Sequence, residues 1–260
     1  MKKIVLILSV VIALGTMAFT GKGTPAPKGK KDKSVHNKLT KKEKKEGWQL
    51  LFDGKTSGEW RNYGKETFPD GWEITEDGTI HCPGSGRGEA GGKNRGDIIF
   101  GGKKYSNFHL KLEWKISEGG NSGIFYLGQE NDDFDYIWKT APEMQILDNE
   151  RHPDAKAGKD GNRQAGSLYD LVPANPQNAK PVGKWNTVEI KVYKGSVWHI
   201  QNGKTVVEYH LWTPEWEEMV AKSKFPGLNA EWADVATEGY IGLQDHGDDV
   251  WFRNIKIKEL

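Results

Sequence analysis

The chain of 260 residues contains one cysteine, Cys82, so no internal disulfide can staple it. Helical periodicity is scarce. Only PEWEEMVAKS, 214–223, carries it, with Thr213 as N-cap and Pro214 in the first turn. No repeat of propeller or solenoid type is present. A local metal signature, such as paired histidines at helical spacing, is also missing. Gly84, Gly86 and Gly88 loosely imitate a nucleotide-binding loop, but the spacing is wrong and no helix follows, so GSGRGEAGG (84–92) reads as a mobile loop. The main apolar run, Ile4 to Leu14 extended through Phe19, is short for a membrane span. With Lys2 and Lys3 ahead of it, residues 1–20 read as a secretory signal, and no cysteine lies where lipidation would need one. The expected product is exported, periplasmic or extracellular, with no stable membrane span once the signal is removed.

Residues 21–46 hold ten lysines, three acidic residues and only Val35 and Leu39 as sizeable apolar side chains. So polar a stretch cannot offset the entropy of ordering by apolar burial, which predicts a disordered lysine-rich linker. Leader and linker together carry +9 of a chain whose net charge is +1, leaving −8 on residues 47–260. An acidic folded part argues against nucleic acid as a partner. It is long enough for one domain with its own core.

What is present is a succession of short strands and glycine turns. In NFHLKLEWKIS (107–117), Phe108, Leu110, Leu112, Trp114 and Ile116 alternate with polar residues, the pattern of a half-buried strand. GWEITEDGTIHC (71–82) reads as a hairpin, and Lys194-Gly195 and Asn202-Gly203 read as two more hairpin turns. About a dozen strands and one short helix predict an all-β fold, an antiparallel β-sandwich of jelly-roll type.

Eleven tryptophans are a large excess. Trp60, Trp72, Trp138 and Trp212 sit near turns and polar residues, where aromatic faces could stack on sugar C–H faces; filling a wide core is the other reading. In APEMQILDNERHPD (141–154), Glu143 and Gln145 alternate with Met144 and Ile146, then lead into a loop of ionisable groups. One face of such a strand can anchor in a core while the other offers acid and amide groups to a ligand.

Four segments carry a family resemblance: GWQLLFDGKTSGEWR, FHLKLEWKISEGGNSGIFYLG, PEMQILDNERHPD and GYIGLQDHGDDVWFRNIKIKEL. Together they resemble the 3-keto-disaccharide hydrolase domain family over residues 47–260. The resemblance implies a concanavalin A-like jelly roll and a small-molecule carbohydrate substrate. It also implies cleavage of glycosides whose sugar has been oxidised to a ketone at carbon 3. That ketone acidifies the proton on carbon 2, so a base can start an elimination of the group on carbon 1, and water can add back.

Carried onto this sequence, the motifs place Glu143, His246 and His152 as candidates for the chemistry. Asn121, Gln145, Asp148, Tyr169, Trp138, Asp245 and Arg253 are the candidates for holding sugar or supporting the site. Acids and histidines on separate strands leave room for a divalent metal without defining its ligands. A non-catalytic carbohydrate-binding module and a conventional two-carboxylate glycosidase remain alternatives.

Overall fold

The computed structural model describes residues 36–86 and 95–260. The expected signal, the first part of the linker and most of the glycine loop therefore lie outside the described residues. The strands are β1 (Gln49–Leu50), β2 (Trp60–Asn62), β3 (Glu73–Ile74), β4 (Ile80–Cys82), β5 (Ile98–Phe100), β6 (Phe108–Ile116) and β7 (Asn121–Gly128). They continue as β8 (Glu143–Leu147), β9 (Asn186–Tyr193), β10 (Ser196–Gln201), β11 (Lys204–His210), β12 (Tyr240–Leu243) and β13 (Val250–Glu259). Their pairings are antiparallel and form two sheets. The eight-stranded sheet runs β11-β10-β9-β6-β13-β4-β3, with β1 also on β13; the five-stranded sheet runs β2-β5-β12-β7-β8. This is the antiparallel β-sandwich expected from the strand pattern.

The alternation along β6 is realised in full, every second residue being buried from Phe108 to Ile116. Its inward row meets Ile124, Tyr126, Met144 and Ile146 of the smaller sheet in one apolar core. Burying each such side chain contributes roughly 1.5–3 kcal/mol. The hairpin turns follow from backbone chirality. Lys194-Gly195 and Asn202-Gly203 all have positive φ, between 48° and 85°, as type I′ turns require. The helix α2 (Pro214–Ala221) begins as expected, its Trp216 N–H donating to Thr213 Oγ1 at 3.2 Å.

Two expectations need correction. The linker does not extend to residue 46, and one short helix is too few. Residues 36–46 lie on the fold and contain a second helix, α1 (Lys41–Lys45). Asn37 is buried, and it exchanges hydrogen bonds with Asn254 while its side-chain amide donates to Gly78 O. Thr40 and Glu43 form a capping box. The Glu43 carboxylate accepts from Lys256 at 2.8 Å. Burial alone would raise the Glu43 pKa, but the bonds from Lys256 and Thr40 outweigh it and hold it at about 2. Hydrogen bonds, not apolar burial, order this segment, which is why composition misread it.

The tryptophans mostly fill the core. Trp60 and Trp72 are buried, with their indole N–H groups donating to Leu51 O and Gly96 O. Trp212 is a surface residue bonded to Val235 O.

Candidate active site

The site lies on the face of the five-stranded sheet turned away from the other sheet. Register fixes which side chains meet there. Gly123 pairs with Gln145 and Phe125 with Glu143. Gly242 pairs with Phe125 and Ile99, and Gln244 N donates to Gly123 O just beyond β12. Alternation then points Asn121, Glu143, Gln145 and Gln244 to one side while Met144, Ile146 and Leu243 enter the core. A cavity of about 240 Å³ opens over these four, walled by Trp138, Tyr169, Lys224, Phe225, Leu228 and His246.

Glu143 is the one carboxylate lining this cavity among the described residues, and it is only 7% exposed. Asn121 Oδ1 and Trp138 Nε1 are buried without a hydrogen-bond partner among the described residues. Buried polar atoms are seldom left unmatched. An acceptor and a donor beside a carboxylate and an imidazole suit a polyhydroxylated ligand.

The sheet is held from behind by a buried chain of hydrogen bonds. His199 Nδ1 lies 3.0 Å from Gly166 O, so that nitrogen carries the proton and Nε2 accepts from the Tyr126 hydroxyl at 2.7 Å. Tyr209 in turn donates to Tyr126 at 2.7 Å. Gly166 N donates to Gln145 O, so this network fixes the outer edge of β8.

The remaining candidates divide. Tyr169 lines the cavity with its ring, while its hydroxyl donates to Asp154 Oδ2 at 2.8 Å and accepts from Lys224 Nζ at 3.1 Å. Burial, then the negative charges of Glu143 and Asp154, push its pKa well up. His152 stands behind His246, ring centroids 5.9 Å apart, and does not line the cavity. Burial and the neighbouring His246 lower its pKa, and its Nδ1 accepts from Asp154 N at 3.1 Å. His152, His246 and Asp248 bring one potential ligand atom each to within 4.8 Å of one another. Two imidazoles and a carboxylate are donors a divalent transition metal accepts. A neutral imidazole bound to metal carries its proton on the other nitrogen, so loading this trio would require His152 to release the Asp154 N–H.

Three sugar-binding candidates are placed elsewhere. Asp245 is 1% exposed, its carboxylate held by Arg95 Nε and Nη2, both at 3.0 Å, and by the backbone N–H groups of Gly96 and Gly247. Burial opposes ionisation there, but Arg95 and its other donors keep the Asp245 pKa below the usual carboxylate range. The residue braces the loop carrying Gln244 and His246. Asp148 closes a turn, accepting from Gly119 N at 2.7 Å and Glu150 N at 3.1 Å. Arg253 lies on the outer face of the eight-stranded sheet, 2.7 Å from Glu113 and stacked at 3.9 Å over Trp185. Its register partner on β6 is Glu113, on the face opposite Trp114, and β8 belongs to the other sheet.

Lys224, Phe225 and Leu228 were not foreseen. They follow α2, and a Phe225–Trp232 stack (3.8 Å, 9°) packs their turn against the body. No local pattern announces that long-range contact.

Residues 47–258 match the family described as the 3-keto-alpha-glucoside-1,2-lyase-like domain. The chain belongs to this family. It is 53% identical over 231 residues to a 3-keto-disaccharide hydrolase of Bacteroides thetaiotaomicron, covering 83% of this chain and 79% of that protein. Among solved structures, a candidate glycosyl hydrolase of Parabacteroides distasonis is 31% identical with a TM-score of 0.75, covering 86% of this chain and 99% of its own. A second such protein from the same organism is 29% identical with a TM-score of 0.60, covering 82% and 99%.

Proposed function

We propose that this glycoside-cleaving enzyme acts on sugars already oxidised at carbon 3, beginning with removal of the proton on carbon 2. The observation that carries this reading is the single carboxylate of the cavity. A conventional glycosidase needs two acids flanking the scissile bond, and Glu143 has no second acid beside it among the described lining residues. A ketone removes the need, because the acidified C2–H lets one base start the reaction. Glu143 takes that proton. The electron pair moves toward the carbon 3 oxygen, giving an enediolate, and then expels the group on carbon 1, which His246 protonates. Water added across the resulting double bond completes a net hydrolysis. Lys224, the one lysine or arginine among the described residues lining the cavity, is the cation we assign to the enediolate oxygen. We take the reaction to occur outside the cytoplasm, a reading that the signal-like pattern of residues 1–20 supports.

The test is incubation with a 3-keto-glucoside and with its unoxidised parent. Release of the leaving group from the ketone alone, with solvent deuterium entering carbon 2, is the expected result. Release from both substrates would instead favour conventional hydrolysis, and binding without turnover a carbohydrate-binding module.

A further inference from the structure

A second, larger cavity of about 650 Å³ lies over the other end of the same sheet. Its lining includes Asp97, Tyr63, Tyr136, Asn62 and Glu66. Backbone pairing links it to the first. Gln244 lies beside Asp97, as Leu243 pairs with Ile98 and the Asp245 N–H donates to Asp97 Oδ1 at 3.0 Å. Tyr63 N donates to Asp97 O. Gln145, Gly123, Gln244, Asp97 and Tyr63 thus form one row across all five strands, with Gln145 and Gln244 lining the small cavity and Asp97 and Tyr63 the large one. At about 4.8 Å between strands, β7 and β5 are roughly 10 Å apart, the span of a disaccharide rather than of one ring.

The wall is shared as well. Ile137, fully buried, seats its turn in the notch left by two glycines: a Cβ at Gly242 would lie 2.9 Å from its Cδ1, and one at Gly128 would lie 2.5 Å from its Cγ1. The residues on either side of it are Tyr136 and Trp138, their rings stacked at 5.6 Å and 17°. Trp138 lines the small cavity and Tyr136 the large one. At the far side Glu130 is clamped by Arg61 through two hydrogen bonds and by Gly64 N. The row of the floor and the Tyr136–Trp138 wall thus run from one cavity to the other, and they combine aromatic surface with amide and carboxylate groups, the chemistry that binds a neutral sugar ring.

We infer that the large cavity receives the leaving-group sugar of a disaccharide whose reacting ring occupies the small one. This rests on the reading of the small cavity as the reaction site. Two comparisons test it. The first is kcat/KM for a 3-keto disaccharide relative to a methyl 3-keto-glucoside. Loss of one aromatic contact is worth on the order of 10-fold, so Tyr136→Ala should lower that ratio by about 10-fold while Tyr136→Phe keeps it. Glu66→Ala, on the side away from Trp138, should lower it too. A ratio that holds in Tyr136→Ala and Glu66→Ala, whether or not both substrates slow together, overturns the inference. The second comparison is calorimetric binding of the unoxidised disaccharide against its monosaccharide, with tighter binding of the disaccharide lost in Tyr136→Ala. If that difference appears while neither ketone is cleaved, the chemistry falls and the second sugar site stands. If the ketones are cleaved but selectivity and binding do not change, the second site falls alone.

Discussion

Glu143 lays its carboxylate across Gly123 of the neighbouring strand: a Cβ on that glycine would sit closer to Oε1 than real contacts allow and 2.7 Å from Cδ. Gly123 does not have a positive φ, so its role is space rather than backbone freedom. Gly123→Ala should therefore fold normally yet push the carboxylate aside. Displacing a reacting group by about 1 Å can cost on the order of 100-fold, and a fall of that size in kcat with an unchanged thermal midpoint is expected. A full-rate Gly123→Ala enzyme would show that this carboxylate position is not the reactive one.

Glu143→Gln keeps the size and one acceptor oxygen but removes the base. General-base catalysis contributes roughly 10²–10⁴-fold, and both kcat and solvent-deuterium exchange at carbon 2 should fall by that order. His246→Ala should depress leaving-group departure more than exchange, because protonation follows C2–H removal in the proposed sequence. Equal loss of exchange in both variants would place His246 in C2–H removal as well and overturn its assignment to the leaving group alone.

Arg253 should be dispensable for turnover. Its partners Glu113 and Trp185 are on the outer face of the other sheet, and partly exposed ion pairs contribute about 0–1 kcal/mol. Arg253→Ala is expected to retain near-normal kcat/KM with a small loss of stability. A large rise in KM would reopen its assignment to the site.

What was legible in the sequence follows from how local the cause is. The β6 row, the I′ turns and the Thr213 cap are decided within a few residues, and each appears as read. Glu143 and Gln145 were also readable, since alternation in β8 separates them from Met144 and Ile146. Alternation cannot say which sheet a strand joins. In β13 alternation separates Arg253 from the buried Phe252, but the outward face there belongs to the sheet without the cavity. The ordered segment at 36–46 was readable in principle from its Thr40–Glu43 capping box, a signal that lysine content masked. Lys224 was not readable, because its position depends on the Phe225–Trp232 stack.

Asp245 is expected to matter for stability more than for sugar contact. Arg95→Met would leave a buried carboxylate without its cation, a change that costs about 3–5 kcal/mol when one partner of a buried pair is removed. Thermal unfolding should show the loss. For a methyl 3-keto-glucoside, which fills only the small cavity, affinity in the folded fraction should change less than in Glu143→Gln, since neither Arg95 nor Asp245 lines that cavity. Arg95 lines the large cavity, so the disaccharide is not the probe for this comparison.

His199 should set an acid limit on stability. It is fully buried and neutral, with Nδ1 directed to Gly166 O and Nε2 accepting from Tyr126. Burial lowers its pKa to about 4 from an unfolded value of 6.5. Between those values the unfolded chain binds a proton that the native state refuses, so unfolding free energy must rise with pH. The contribution is complete above the unfolded value and is lost as pH falls toward about 4, at roughly 1.4 kcal/mol per unit. Denaturant titrations at pH 7 and pH 5 should show this slope, superimposed on the acid loss from carboxylates such as Asp245 and Glu43, whose native pKa values are held low. A His199→Gln variant isolates the histidine. It should be less stable than the parent at pH 7, and the gap should narrow as the pH drops, because the variant has no imidazole to protonate in the unfolded state. A gap that stays constant from pH 7 to pH 5 would mean that His199 takes up a proton as readily in the native fold as in the unfolded chain, which a buried ring accepting from the Tyr126 hydroxyl does not allow.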